Sequence, residues 1–114
     1  MCIMSCFVTF NSCSSLSNIV LPDGVTSIDM QAFAGCSSLT SINIPHTVTS
    51  MGYRAFHNCS SLSDVTCNAT TPPTLDVGVF SNIASPSTLI APTGCTTAYS
   101  ESDWAQYFTT IEEK

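Results

Sequence analysis

Apolar and polar residues recur along this chain at a fixed interval. The phrase Phe-x-x-Cys-Ser-Ser-Leu occurs three times, beginning at Phe10, Phe33 and Phe56, and each step is 23 residues. A fixed period of 20 to 50 residues is typical of proteins in which each repeat contacts only its neighbours. The pattern therefore predicts a stack of similar repeats.

Each repeat contains a short alternating stretch that predicts a β-strand. In the second copy it ends with Ile42-Asn-Ile44-Pro45. Successive side chains of a strand point to opposite faces, so Ile42 and Ile44 are expected to share the inner face. Proline cannot donate to a strand ladder and ends the strand. The run from Val48 to Met51 predicts a second extended segment on the opposite side of the coil.

The whole chain is predicted to form one mostly β domain. Residues 1–92 are expected to be a short solenoid of three to four coils. Its repeats span about 10–32, 33–55, 56–79 and 80–92, after an irregular N-terminal edge at 1–9. Residues 93–114 leave the repeat and are expected to form a C-terminal capping segment.

The capping segment is predicted to be helical. Ser100-Glu-Ser-Asp103 has the form of a capping box. After it, Trp104, Tyr107, Phe108 and Ile111 fall at i, i+3, i+4 and i+7, the spacing of one apolar helix face. We expect this small helix to cover the last coil; the alternative is an aromatic platform on which a ligand stacks.

Three of the seven cysteines, Cys13, Cys36 and Cys59, share one position of the repeat. Stacked repeats would place them in a column of buried thiols that behave as small apolar side chains. An odd number of cysteines argues against a fully paired disulfide framework. No Cys-x-x-Cys pair occurs, and neither a metal nor another cofactor is predicted.

A thiol-dependent enzyme is the catalytic alternative. His57 lies two residues before Cys59. A catalytic thiol needs a base within hydrogen-bond reach and an electropositive setting. Because Cys59 belongs to the predicted buried column, the chain is expected not to be an enzyme.

Charge and hydropathy exclude several classes of partner. The formal net charge is −6, and Arg54 and Lys114 are the only strong bases. Two bases cannot supply the cationic surface that nucleic acid needs. No apolar run reaches the roughly 18 residues that cross a bilayer, so membrane insertion is not expected.

Residues 1–10 lack the basic start and apolar length of a signal peptide. The apolar residues 1–9 could instead form an open edge through which the chain self-associates.

The segment from Phe33 to Phe56 resembles the BspA-like leucine-rich repeat, a family named after a Bacteroides surface protein. The tail residues Tyr99, Trp104, Phe108 and Ile111 are similar to the ending that closes many such arrays. The resemblance implies a secreted or cell-surface location. It also implies that the coils form a right-handed leucine-rich-repeat solenoid. The implied role is non-catalytic, in protein interaction or adhesion, with a host matrix protein or another cell-surface protein as the partner. The family has no shared catalytic residues.

A binding face is predicted on the outward strand positions. Short polar and β-branched side chains there would give an extended protein surface close approach, without a deep pocket for a small molecule. These positions are Asn18, Val20, Ser41, Asn43, Asp64, Thr66, Thr88 and Ile90. The alternatives are that this face is only solvated, or that the chain is a structural spacer or end cap within a longer array.

Overall fold

The computed structural model describes residue 17, residue 21 and residues 23–114. These residues contain short strands, one α-helix (α1) and one 3-10 helix. In chain order they are β1 Ser27–Ile28, β2 Ser41–Ile44, β3 Ser50–Met51, β4 Asp64–Cys67, β5 Thr74–Leu75, β6 Thr88–Ala91, α1 Thr96–Ser100, the 3-10 helix Asp103–Tyr107 and β7 Thr110–Glu113.

The strands form two parallel sheets. The short sheet contains β1, β3 and β5, and the long sheet contains β2, β4, β6 and β7. The register pairs residues about one repeat apart: Ser41 faces Asp64, and Asp64 faces Thr88. The repeats 33–55 and 56–79 therefore each contribute one strand to each sheet. The strands predicted around Ile42–Ile44 and Val48–Met51 are confirmed as β2 and β3.

Side chains alternate strictly along β2 and β4. Ile42 and Ile44 are buried, whereas their neighbours Ser41 and Asn43 are exposed. The register continues the inner row from Ile42 through Val65 to Leu89, and the latter two are fully buried. The core thus consists of columns of equivalent residues from successive repeats. Each buried aliphatic side chain contributes roughly 1.5–3 kcal/mol by apolar burial.

Phenylalanine rings form the central column of the core. The ring centroids of Phe33 and Phe56 are 5.1 Å apart, and those of Phe56 and Phe80 are 5.3 Å apart. The ring planes differ by only 8° and 5°. Backbone hydrogen bonds fix the spacing, since the Phe33 N–H donates to the Ala55 carbonyl at 2.7 Å. Stacked aromatic pairs add about 0.5–1.5 kcal/mol beyond their burial.

The predicted column of buried thiols is found at two of its three positions. Cys36 and Cys59 are both fully buried. The Cys59 thiol donates to the Phe33 carbonyl, with Sγ 3.0 Å from the oxygen. Cys13 lies outside the described residues. The thiols therefore occupy core volume beside the phenylalanine column.

The prediction of a helix over Trp104–Ile111 is wrong. Only Asp103–Tyr107 is helical, as a single 3-10 segment, and the chain then extends into β7. β7 pairs with β6 and places Ile111 opposite Leu89. β6 would otherwise leave a row of backbone groups unpaired, and the β-branched Thr109-Thr110-Ile111 run favours a strand. Strand pairing therefore outweighs the helical spacing of the apolar residues.

The predicted capping box is also displaced. The residue that precedes the 3-10 helix is Ser102, and its hydroxyl accepts the Trp104 N–H at 3.3 Å. Ser100 belongs to α1 instead, where its hydroxyl donates to the Thr97 carbonyl. The capping serine therefore lies two residues later than the predicted capping box places it.

Aromatic residues of the tail pack onto the end of the phenylalanine column. The Trp104 ring lies 5.2 Å from the Phe80 ring, and its Nε1–H donates to the Pro73 carbonyl at 2.9 Å. The Tyr99 hydroxyl donates to the Ala69 carbonyl at 2.6 Å. Trp104 and Tyr99 are fully buried. Both aromatic residues thereby join the tail to the preceding repeats through specific hydrogen bonds.

Candidate binding surface

The outer face of the long sheet carries two rows of side chains in register. These rows are Ser41, Asp64, Thr88 and Thr110, and then Asn43, Thr66, Ile90 and Glu112. The sequence predicted six of these eight residues. Its other two predicted positions, Asn18 and Val20, lie outside the described residues. The sequence did not predict Thr110 and Glu112, because a tail assigned to a helix cannot contribute a fourth strand to the sheet.

The outer face is largely polar. Ser41, Asn43 and Asp64 are exposed, whereas Thr66 and Ile90 are half-buried. Neighbouring strands lie about 4.8 Å apart, so the side chains of each row are evenly spaced. Short side chains at this spacing leave the sheet open to close approach by another protein surface.

Polar contacts order one end of this face. The Asn68 amide donates to the Asn43 side-chain oxygen at 3.4 Å and to the Ile44 carbonyl at 3.2 Å. The Asn68 oxygen accepts a hydrogen bond from the Lys114 ammonium group. A positive charge therefore stands beside the Asn43 end, while the Asp64 carboxylate lies in the other row.

The Cys59 thiol does not have the setting of a nucleophile. Its pKa is raised, first by the hydrogen bond with the Cys36 thiol and then by burial. A nucleophilic thiol needs the opposite shift. The Nδ1 atom of His57 is buried and has no hydrogen-bond partner in the described part of the chain. The Nδ1 atom of His57 therefore makes no hydrogen bond to the Cys59 thiol.

Neither a metal-binding cluster nor a membrane-spanning helix occurs among the residues that the structure describes. In residues 17, 21 and 23–114, no group of three or more His, Cys, Asp or Glu side chains is arranged to hold a metal ion. Over the same residues, none of the helices has the length and hydropathy needed to cross a bilayer.

Comparison with known proteins gives one match. The family model for the BspA-type leucine-rich-repeat region matches residues 7–111, with six copies. No curated protein and no solved structure matches the chain. The matched region continues through the tail and includes Thr110 and Ile111, the first two residues of β7. The match covers most of the 114 residues, and the chain belongs to the BspA-type leucine-rich-repeat family.

Proposed function

We propose that this chain is a non-catalytic protein-interaction or adhesion module of a cell-surface or secreted protein. In this proposal its repeats form a short right-handed solenoid, and the outer face of the long sheet contacts the partner. Membership of a leucine-rich-repeat family supports a role as a protein-interaction repeat. The observation that carries the proposal is the alignment of eight outward side chains in two rows.

The size of the face indicates how it would be used. Four strands span about 14 Å between the outermost strands, and four residues span about 10 Å along each strand. A stable protein interface buries about 800 Å² on each partner, several times the area of this face. The face would therefore supply part of a larger interface. Several such faces in one array would bind more tightly than one, because each further contact forms within the same complex.

One observation favours a second candidate function, that of a structural end cap. Tyr99, Trp104 and Phe108 are buried and gather at one end of the core. Terminal repeats of stacked proteins need such closure to protect their apolar columns. In this alternative, residues 93–114 shield the last repeat, and partner binding belongs to repeats elsewhere.

A double substitution on the outer face tests the proposal. Asn43→Tyr with Asp64→Tyr places two bulky side chains in adjacent rows. The matched control, Thr97→Tyr with Glu101→Tyr, adds the same bulk at exposed positions of α1 and its C-cap. Binding to surfaces coated separately with collagen, laminin and fibronectin is measured by surface plasmon resonance, and stability by thermal melting.

The proposal predicts that at least one matrix protein binds the unmodified chain. The Asn43/Asp64 variant should then bind at least tenfold more weakly at an unchanged melting temperature, while the control retains binding. Equal binding by both variants would show that another surface makes the contact. Absence of binding to all three proteins would favour the end-cap function.

A further inference from the structure

We propose that the chain has a second docking surface, on the outer side of the short sheet. Its partner is an extended polypeptide segment that presents an arginine between two apolar side chains. This surface is separate from the outer face of the long sheet and does not depend on the function proposed for that face. The inference rests on a groove, two carboxylates that line it with no side chain between them, and two exposed apolar side chains.

The groove has a volume of about 540 Å³ and crosses all three strands of the short sheet. One of its rows contains three hydroxyl groups in register, from Ser27, Ser50 and Thr74. The next outward positions are Asp29, Gly52 and Asp76, which also line the groove. The groove therefore offers hydrogen-bond acceptors along its length and a carboxylate at each end of one row.

The middle position of the carboxylate row is Gly52, which carries no side chain, and the Asp29–Met30 backbone packs directly against it. A Cβ atom on this glycine would lie 2.6 Å from the Met30 backbone nitrogen, which is too close for any side chain. Asp29 and Asp76 stand two strand spacings apart, about 10 Å between their backbones. The close packing of β1 against β3 thus excludes any side chain from the position between the two carboxylates.

Within residues 23–114, neither strong base forms an ion pair with these carboxylates. Arg54 and Lys114 are its two strong bases. The guanidinium of Arg54 lies over the Tyr53 ring, 4.9 Å from the centroid, and Lys114 contacts Asn68 beside the long sheet. The groove is therefore negatively charged, and charge complementarity selects a cationic group as its occupant.

Apolar side chains flank both carboxylates. Met30 follows Asp29 and is 60% exposed, and Val77 follows Asp76 and is 70% exposed. These are the large hydrophobic side chains that remain exposed in residues 23–114. Backbone hydrogen bonds from Gln31 to the Tyr53 carbonyl and from Arg54 to the Val77 carbonyl bring the three turns side by side. Exposed apolar groups beside a polar groove are typical of protein-interaction surfaces.

These features together favour arginine in an extended segment. The planar guanidinium has five N–H donors in a fork, so it can donate to both carboxylates and to the hydroxyl row. In an extended segment, residues two before and two after the arginine point to the same side and are about 13 Å apart. Apolar residues at those positions would reach Met30 on one side and Val77 on the other.

The test uses a peptide and an isosteric control peptide. The probe is acetyl-Gly-Leu-Ser-Arg-Ser-Leu-Gly-amide, and the control replaces its arginine with neutral citrulline. Each is titrated into the isotopically labelled full chain at millimolar concentrations, and backbone amide shifts are followed by NMR. The protein variant is Asp29→Asn with Asp76→Asn, which keeps side-chain size. Asp64→Asn, on the long sheet, is the matched control.

The proposal predicts shifts confined to residues 27–30, 50–53 and 74–77. Citrulline, or the Asp29/Asp76 substitution, should weaken binding about tenfold or more, since each removes a charge-assisted contact. Asp64→Asn should leave the affinity unchanged, and added salt should lower it. Equal binding of the citrulline peptide, shifts centred on the long sheet, or no shifts with the arginine peptide would each overturn the proposal.

Discussion

The Trp104 ring lies 5.2 Å from the Phe80 ring, at a tilt of 46°. Trp104 follows Phe80 by 24 residues, the same step that separates Phe80 from Phe56. The indole therefore occupies the place that the next phenylalanine of the repeat would fill. Its larger ring and its Nε1–H bond to the Pro73 carbonyl distinguish this last position from the others.

The phenylalanine column makes Phe56 the most sensitive core position, because it stacks on a ring at each side. We expect Phe56→Ala to lower the free energy of unfolding by about 3–5 kcal/mol through lost burial and a residual cavity. Urea denaturation followed by circular dichroism measures the change. Val77→Ala, at an exposed position, is the control and should change stability by less than about 0.5 kcal/mol. Equal effects of the two substitutions would contradict the stacked core.

The Tyr99 hydroxyl supports the tail through its hydrogen bond to the Ala69 carbonyl. Tyr99→Phe keeps the ring but leaves that buried carbonyl without this donor, so we expect a loss of about 1–3 kcal/mol. Thermal melting of the variant measures it. Tyr53→Phe is the matched control, since Tyr53 is only half-buried. An unchanged melting temperature for Tyr99→Phe would show that the hydroxyl adds no stability.

The buried thiols predict a loss of stability at alkaline pH. The pKa of Cys59 is raised above its ordinary value of 9.0 by the Cys36 thiol and by burial, and burial also raises the pKa of Cys67. A thiol whose pKa is raised in the folded state stabilises the fold fully below the unfolded value. That contribution is lost as the pH rises above about 9, by about 1.4 kcal/mol per pH unit for each group.

Denaturation at a series of pH values from neutral to 11, with a reductant present, measures this dependence. Cys59→Ala should give a shallower fall of stability above pH 9, whatever its stability at neutral pH. Equal slopes for the variant and the unmodified chain would show that ionisation of the Cys59 thiol does not cause the loss of stability.

Gly52 predicts a steric effect that can be separated from backbone strain. Gly52→Ala would place a Cβ atom 2.6 Å from the backbone of Met30, and we expect a cost of about 1–3 kcal/mol or more from forced separation of β1 and β3. The comparison is Gly94→Ala, where φ is +82° and no atom lies within 4 Å of the added Cβ. That variant should show only the cost of a left-handed backbone, about 1 kcal/mol. A smaller effect at Gly52 than at Gly94 would contradict the close approach.

The repeat period was sufficient to predict most of the core. Phe33 and Phe56 mark it, and the alternation at Ile42 and Ile44 identifies the strand and its buried face. These features depend on local spacing, which a single sequence displays directly. The six outward residues from Ser41 to Ile90 followed from the same alternation.

The tail could not be predicted from its spacing. Phe108 and Ile111 fit a helical period, yet Ile111 lies on a strand because the edge of β6 is available to it. That competition depends on a neighbouring strand and is not visible within the segment itself. The repeat is also harder to see in the tail, because fewer residues separate its aromatic residue from its strand. Thr88 follows Phe80 by eight residues, whereas Thr110 follows Trp104 by six.

Backbone conformation at the turns was equally hidden. Gln31 and Arg54 have φ values of 57° and 54°, a region that side chains disfavour, and the equivalent residue of the next repeat is Gly78 at 71°. Of these three residues, only the glycine indicates a positive φ in the sequence.

The groove on the short sheet was not predicted for a related reason. Asp29 and Asp76 are 47 residues apart, and only the register of the strands brings them into one row.

Alternation along β2, β4 and β6 has an evolutionary consequence. Inward residues such as Val65 bear the packing constraints, while an outward neighbour such as Thr66 touches solvent on a surface that tolerates exchange. A lineage can therefore change this outer surface one repeat at a time, and duplication of a repeat supplies a further copy that can diverge. Changes on this surface need not disturb the residues that hold the chain folded.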